Sequence, residues 1–517
     1  MLTFHLTEAF LAKYQNKKPN WDALGEFVYY RTYSRYIEKE NRNEQWWETI
    51  KRVVEGVYNT QKDHCEKLRL PWKPWKAQKC LPKGTLIHLK EGVKPIEDIR
   101  IGDIIQTLAG VSEVSNVYNQ GIQKTIILKT CFGNIECTPN HKVAIFEDSI
   151  TSWKFKKASE IRIGDRLVFD ANGYEGKETK LPISDNIHVP KLDEKIAWLI
   201  GEIHGDGYVQ IPGKRYRVFG RNKAKPINGT IRLRIEKNRK NLNSALERAK
   251  DAFRMFGYKS KVYNYDTWVV KVFSNDLSKY FFNNIKQPNK EINIPDWIIS
   301  STRNIRASYL AGLFDADGSY KNRPLIAVCT IYENFAKQVK LLYNSLGICA
   351  YIKKIQQNPN NIFQVCLKDY ENLKRFKKII GNQSTKYKCE KDYDRGSKQA
   401  HSFKIDTIRN YFGNQIGCDK YKSVTTYRIF KEKEISLSAL PIEVVDIEDG
   451  RLTETFDIEV KDIKQFTMSG GFVVHNSAQI MYDKIFNFKF SPAGRGLWMM
   501  GTEFIKEKSA AALMNCA

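Results

Sequence analysis

The 517-residue chain reads as a multidomain protein: an all-β domain split in sequence, an inserted α+β unit of two repeats, and mainly helical segments at both ends. Three observations predict this. Short strand-like runs bounded by turn residues fill 80–181 and return at 441–476. Between them an acidic nine-residue motif occurs twice, as Leu199-Ile200-Gly201-Glu202-Ile203-His204-Gly205-Asp206-Gly207 and Leu310-Ala311-Gly312-Leu313-Phe314-Asp315-Ala316-Asp317-Gly318. Residues 1–79 read as helical instead, with Trp46, Trp47, Trp72 and Trp75 as core or interface anchors.

The totals set the bounds. Hydrophobic residues make up 42% and aromatic residues 12%, ordinary for three or four globular domains. The net charge is +26, of which 1–79 carries +5 and 477–517 carries +2, leaving +19 on 80–476. A polyanionic partner for that middle stretch follows. Ten cysteines occur without a C-x-x-C pair, which argues against a zinc site and a disulfide framework. No signal peptide and no long apolar run is present, so a cytoplasmic protein without a membrane partner is expected.

In chain order, Pro71 and Pro74 mark an extended segment, and Cys80 then opens the β pattern. Strands are expected at Thr85–Leu89, Val93–Ile96, Ile101–Leu108, Thr125–Thr130 and Val143–Phe146. The returning β segment ends in Phe472-Val473-Val474-His475-Asn476-Ser477. The Asn476 side-chain amide can attack its own backbone carbonyl, with His475 donating a proton to the leaving group and Ser477 a nucleophile beyond the cut. Cys80, Thr138-Pro139-Asn140-His141 and that terminus are the parts needed to excise 80–476.

On these residues the stretch 80–476 resembles an intein, a self-splicing insert with an all-β Hint domain. Ile161–Val168 and Thr455-Phe456-Asp457-Ile458-Glu459-Val460 fit two further blocks of that family. The resemblance implies that the Cys80 thiol attacks the Lys79 carbonyl and that His141 protonates the departing nitrogen. It further implies that Thr138 and Asn140 help polarise or hold the scissile bond and that Asp457 assists thiol activation or the handover. No cofactor is implied for splicing. One position departs from the pattern: Lys464 stands where family members often carry His.

The inserted unit, 190–400, holds repeats at about 195–295 and 306–390, each read as helix, strands, helix, strands, helix; 401–476 is linker and the rest of the β domain. Gly201 and Gly205, like Gly312 and Ala316, lie four apart on one helical face, so two such helices can approach closely and deliver an acid to a shared axis. The second copy resembles the LAGLIDADG homing-endonuclease motif at all but one position, with Phe314 in place of Ile. The resemblance implies a monomeric endonuclease in which Asp206 and Asp317 bind Mg²⁺ and a basic residue stands near each acid. Lys290, ahead of Ile294-Pro295, and Lys386, its counterpart when the repeats are superposed, are the candidates. A calcium loop starting at Asp315 fails, because its twelfth position is Ile326. Segment 213–240 has eleven Lys or Arg against one Glu, and Arg215, Arg217, Arg221, Arg232 and Arg234 on its strands suit the major groove of double-stranded DNA.

The flanks 1–79 and 477–517 resemble the start of an adenosylcobalamin-dependent (class II) ribonucleotide reductase. Phe27–Arg35 and Ser491-Pro492-Ala493-Gly494-Arg495-Gly496-Leu497-Trp498-Met499-Met500-Gly501-Thr502 carry the match. Cys516 falls where such reductases place a redox cysteine, and adenosylcobalamin would serve the complete enzyme. Two other readings fit the same residues: an insert whose splicing or cleavage has decayed, and a nucleic-acid-binding module that does not cut.

Overall fold

The computed structural model describes Leu11, Gln15, residues 23–67 and residues 80–475, apart from 148, 217–224, 289, 321–324, 357–360, 369, 388–402, 405–406, 409–437, 462, 464 and 469. Lys79, Arg217, Arg221, Lys464, Asn476, Ser477, the 491–502 motif and Cys516 lie outside the described residues, as does most of the linker. The chain divides into two compact units, one of 1–78 with 477–517 and one of 79–476.

In the first unit, α1 (Ala23–Thr32) and α2 (Trp46–Lys67) are joined through two-residue strands at Tyr36–Ile37 and Arg42–Asn43. Tyr29 ties them together: its hydroxyl donates to Glu44 O at 3.0 Å and lies 2.8 Å from Thr49 Oγ1, with its ring edge-on to Trp46. Arg52 closes the junction on the Glu44 carboxylate.

The second unit opens with a twelve-stranded antiparallel sheet that folds around one core. Its first nine strands are β1 (Leu81–Pro82), β2 (Leu86–Leu89), β3 (Gly92–Pro95), β4 (Ile104–Thr107), β5 (Gly110–Thr130), β6 (Gly133–Cys137), β7 (Lys142–Phe146), β8 (Lys154–Lys157) and β9 (Arg166–Asp170). The strand expected at 101–108 is shorter, because Arg100–Asp103 forms a turn with Gly102 at φ +92. The strand expected at 125–130 is the tail of the 21-residue β5. Within it Asn119-Gln120-Gly121 is absorbed as an irregularity, Gly121 taking φ +72, where the pairing register shifts.

The repeat unit follows, and its two halves share one plan. The first runs α3 (Glu194–Asp206), β10 (Gly207–Gln210), β11 (Gly213–Tyr216), β12 (Lys225–Ile227), β13 (Thr230–Ile235), α4 (Leu242–Met255), β14 (Lys261–Asn264), β15 (Trp268–Phe273) and α5 (Asn275–Asn284). A four-residue helix, α6 (Asp296–Ile299), leads to the second: α7 (Arg303–Asp317), β16 (Gly318–Tyr320), β17 (Leu325–Thr330), α8 (Glu333–Ser345), β18 (Tyr351–Ile355), β19 (Ile362–Lys368) and α9 (Tyr370–Ile379). Each half builds a four-stranded sheet of the same order, β10-β13-β15-β14 and β16-β17-β19-β18. The chain then returns to the large sheet as β20 (Ala439–Val460), β21 (Gln465–Thr467) and β22 (Val473–His475). Strand β20 pairs with β5 along almost its whole length and with β9, so the distant segments close one sheet.

Helices α3 and α7 form the centre of the repeat unit, buried over Ile196–His204 and Ile305–Ala316. Asp193 caps α3 by accepting from Lys195 N and Ile196 N. The two helices touch backbone to backbone: a Cβ on Gly201 would overlap Tyr309 O, and one on Gly312 would overlap Trp198 O. Only glycine permits that approach. Among the described residues no helix is long and apolar enough to cross a membrane.

Gly312→Ala should therefore destabilise the repeat unit by about 3 kcal/mol, the upper range for overpacking a close contact. The check is the midpoint of urea unfolding, which should fall with an unchanged slope.

Candidate functional site

Two clusters of chemical groups stand out in the second unit. The first gathers at Cys80. Its backbone N–H donates to Thr138 Oγ1 at 3.0 Å, and its carbonyl accepts from Thr138 N at 3.0 Å and Thr138 Oγ1 at 3.2 Å. Thr138 follows β6, and His141 N–H donates to Thr138 O at 2.9 Å, a tight turn that places the buried His141 three residues beyond the one that holds Cys80. Asn140 lies in that turn, half-buried. From the ribbon, Gln123 Nε2 approaches Cys80 Sγ at 3.7 Å, and Phe456 pairs with Leu81, which brings Thr455 and the buried Asp457 beside the thiol. Burial, and then the negative charge of Asp457, push the Cys80 thiol well above its usual range. At neutral pH it is a thiol and needs a base to become a nucleophile. His475 ends β22, buried and edge-on to Phe155 with ring centres 4.8 Å apart. The antiparallel pairing of Val474 with Val143 runs it toward the end of β7 that begins beside His141.

The second cluster lies where α3 and α7 end. A Cβ on Gly205 would lie 2.9 Å from Asp317 Oδ2, so the two acids, Asp206 and Asp317, sit side by side across the axis. Asp317 is reached by solvent at its tip, but crowding around its carboxyl and the charge of Asp206 raise it to about 6. Asp206 is raised as well, chiefly by burial, with Arg239 and Glu236 opposing one another. Among the described residues no group of three or more His, Cys, Asp or Glu gathers. Two carboxylates with room for water or phosphate suit Mg²⁺, which keeps part of its shell from solvent or substrate.

Around the acids the two halves mirror each other. Trp198 Nε1 of α3 donates to Asp315 Oδ2 at 2.9 Å, while Tyr309 OH of α7 lies 2.7 Å from His204 Nδ1. Asp315 in turn accepts from Ser384 Oγ, from Thr385 N and Oγ1, both at 2.7 Å, and from Lys386 N at 3.1 Å. His204, held neutral by burial that pushes it down to about 3, lies with Nε2 2.9 Å from Ile285 O. Each side chain pins the segment that carries a lysine. Lys386 Nζ donates to Ala316 O at 3.3 Å, at the end of α7. Lys286 Nζ donates to Ile203, His204 and Gly205 O at 2.9, 2.8 and 3.0 Å, at the end of α3.

Here one expected residue is displaced. Lys290 is exposed on the surface, four residues past the lysine that reaches the acids. Its neighbourhood ahead of Ile294-Pro295 pointed to Lys290, although two positions off the usual spacing, whereas the deciding contact is the one His204 makes with Ile285, next to Lys286. Burial, opposed by Asp317 and Asp206, lowers Lys286 to about 8. Arg239 also escaped the sequence reading: it is buried between Glu202, which it pairs with, and Asp315 O, to which Nη2 donates at 2.6 Å. Of the basic residues expected on strands, Arg232 and Arg234 alternate on β13 with buried Ile231, Leu233 and Ile235, so both point outward. Arg232 packs over Tyr208. Arg215 lies on β11.

Comparison with known proteins adds three findings. The family described as ribonucleotide reductase alpha domain matches residues 6–82 and 460–502, and the LAGLIDADG-like domain matches residues 304–381. A probable adenosylcobalamin-dependent ribonucleoside-triphosphate reductase of Dictyostelium discoideum is 47% identical over 78 residues, 15% of this chain; the match spans a tenth of that relative's length. Among solved structures, the homing endonuclease I-DmoI aligns at 14% identity and a TM-score of 0.28, over 37% of this chain and 97% of that one. The gp41-1 intein aligns at 24% identity and a TM-score of 0.16, over 18% of this chain and 68% of that one. A ribonucleotide reductase alpha domain is thus matched at both ends of the chain, and a LAGLIDADG-like domain between them.

Asp317 gives a pH signature. The folded chain holds its proton up to about pH 6, whereas the unfolded chain loses it near the ordinary value, so this residue's contribution to stability falls as pH rises from about 4 through 6. Asp317→Asn should therefore be stabilised relative to the wild type above pH 6 and lose that advantage near pH 4, and Mg²⁺ should narrow the gap at high pH. Urea midpoints across pH check this.

Proposed function

We propose that this chain is a self-splicing insert, residues 80–476, that carries a DNA-cutting unit and interrupts the start of an adenosylcobalamin-dependent reductase. The observation that carries the splicing half is the Cys80 cluster, built from residues 58 positions apart in Cys80 and Thr138 and closed by a strand returning from beyond the repeat unit.

In this reading Asp457 takes the Cys80 proton, and Sγ attacks the Lys79 carbonyl. The C–N bond breaks, and the Cys80 nitrogen, already donating to Thr138, takes a proton from His141. Asn140 supports the turn that presents both. Holding thiol and carbonyl in attack geometry is worth effective molarities of about 10⁵–10⁸ M. Ser477 Oγ then accepts the acyl group and frees the thiol. The Asn476 side chain attacks its own carbonyl, His475 protonates the departing Ser477 nitrogen, and the resulting ester rearranges to a Lys79–Ser477 peptide.

For the nuclease half, Asp206 and Asp317 would hold Mg²⁺, which supplies an activated water and stabilises the leaving oxygen of a phosphodiester when bound. Lys286 and Lys386, pinned by His204 and Asp315, stand beside the acids and can move a proton or bind a phosphate. Lys286 is the better proton carrier, since a group near 8 exchanges readily at neutral pH. The outward Arg232 and Arg234 fit double-stranded DNA, and the partner's phosphates would make binding steeply salt-dependent. The adenosylcobalamin and the redox role of Cys516 belong to the complete reductase.

Expressing the intact chain beside Cys80→Ala/Asn476→Ala tests splicing. Masses should reveal a 397-residue insert and a 120-residue joined product from the first alone; full-length protein from both rules it out. For cleavage, Lys286→Ala should slow cutting of the insert's target DNA about a hundredfold or more and Lys290→Ala should leave it within about threefold. Equal effects of the two would reject the assignment of Lys286. Asp317→Asn should abolish cutting with DNA binding preserved.

A further inference from the structure

At the end of β9 one residue holds both arms of the final hairpin. Asp170 N–H donates to Gly471 O at 2.6 Å, and its carboxylate accepts from Thr467 Oγ1 at 2.9 Å and Asn172 N at 2.9 Å. Thr467 ends β21, and Gly471 closes the turn into β22, whose last residue is His475. Across the hairpin Gln465 faces His475 and Thr467 faces Val473. The turn leaves no slack: Gly470 and Gly471 have φ of +106 and +78, and a Cβ on Gly471 would overlap the Phe169 ring. Asp170 and Thr467 are both buried, and burial raises the Asp170 carboxyl to about 6.

The strap that continues from Asp170 is gripped by the second repeat. Arg375 Nη1 donates to Ala171 O at 2.8 Å; Arg303 donates to Asn172 O and, through Nη2, to Leu346 O at 3.0 Å. Ala171 O packs against the backbone of Gly347 so closely that a Cβ there would overlap it. Both guanidinium groups are within electrostatic reach of Asp170.

We propose that Asp170 and Thr467 are positioning residues for the carboxy-terminal half of the splicing reaction, braced by Arg303 and Arg375, so that the nuclease unit is part of the scaffold of the splicing site. The proposal rests on the splicing reading above. The clasp bears on the strand that carries His475. Cys80 is held instead by Thr138, Gln123 and the β5–β20 ribbon. Its loss therefore separates the two ends of the reaction.

The test uses the full chain with Thr467→Val, Thr467→Ser and Arg375→Gln. Release at Cys80 induced by added thiol, and cleavage at Asn476, are followed separately by mass. Thr467→Val should slow cleavage at Asn476 about tenfold, the loss of one hydrogen bond to a carboxylate, with thiol-induced release within about twofold. Thr467→Ser, which keeps the hydroxyl, should restore the rate, and Arg375→Gln should slow the same step. Unchanged cleavage at Asn476, or equal slowing at both ends, overturns the proposal. Hydrogen exchange in the uncleavable Cys80→Ala/Asn476→Ala background reads the clasp without splicing: Thr467→Val should speed exchange across 472–475, and unchanged exchange there overturns the clasp. A wild-type chain that releases nothing at either junction overturns the splicing reading, and with it the catalytic part of this proposal.

Discussion

The backbone contact between α3 and α7 is the constraint on which the repeat unit depends. With Gly201 against Tyr309 O and Gly312 against Trp198 O, the helices run close enough for their last residues to share one axis. Two carboxylates are then brought together, and burial, with the charge of Asp206 added to it, raises Asp317 to about 6. A wider separation would relax that repulsion and also part the two carboxylates proposed to hold a divalent cation. The same closeness lets Trp198 reach Asp315 and Tyr309 reach His204, so the helix contact also fixes what surrounds the acids.

The mirror arrangement is one of function in the hydrogen bonds rather than of residue type. At matching places in the motif stand a neutral imidazole, facing a carbonyl, and a carboxylate, accepting from amides and hydroxyls. Opposite polarities perform one task, holding a lysine-bearing segment against the end of the helix that carries the same motif. A lysine there also meets the exposed carbonyls of a helix C-terminus, where a cation is favoured. Lys286 takes three such carbonyls and Lys386 one, so the two halves are unequal in how firmly their lysines are held.

These details mark the boundary of what the sequence discloses. The repeat, its helices and the two acids are legible because the motif carries its own spacing: small residues four apart, then an acid and a glycine. The contact of Cys80 with Thr138 is legible only through resemblance, since nothing in local pattern ties residues so far apart. Lys286 was missed because its place is set by a side chain 82 positions earlier, His204, through the Ile285 carbonyl, and not by its own neighbours. The length of β5 was missed for a different reason. Asn-Gln-Gly is turn chemistry in most settings, and only the partner strand β20 makes it an irregularity within a ribbon.

That ribbon explains how an insertion of such size is tolerated. Residues 171–438 leave and re-enter the β domain between neighbouring strands, β9 and β20, which pair from Asp170 with Ala439 to Arg166 with Glu443. The exit and entry points are thus adjacent, and Ala171 N–H even donates to Ser438 O at 3.0 Å. An excursion whose ends meet costs the sheet only loop-closure entropy, which grows slowly with length. The strap at 171–178 nevertheless does more than connect. Tyr174 OH donates to Ile299 O at 2.7 Å, Arg306 is buried on the Tyr174 ring and binds the strap's carbonyls, and Gly173 and Gly176 press against the backbone at Ser345 and Ser301. A passive tether would need none of these contacts. They lie within a few residues of Asp170, so packed side chains and backbone join α7, the helix bearing Asp317, to the end of β9, where Asp170 holds the hairpin that carries His475.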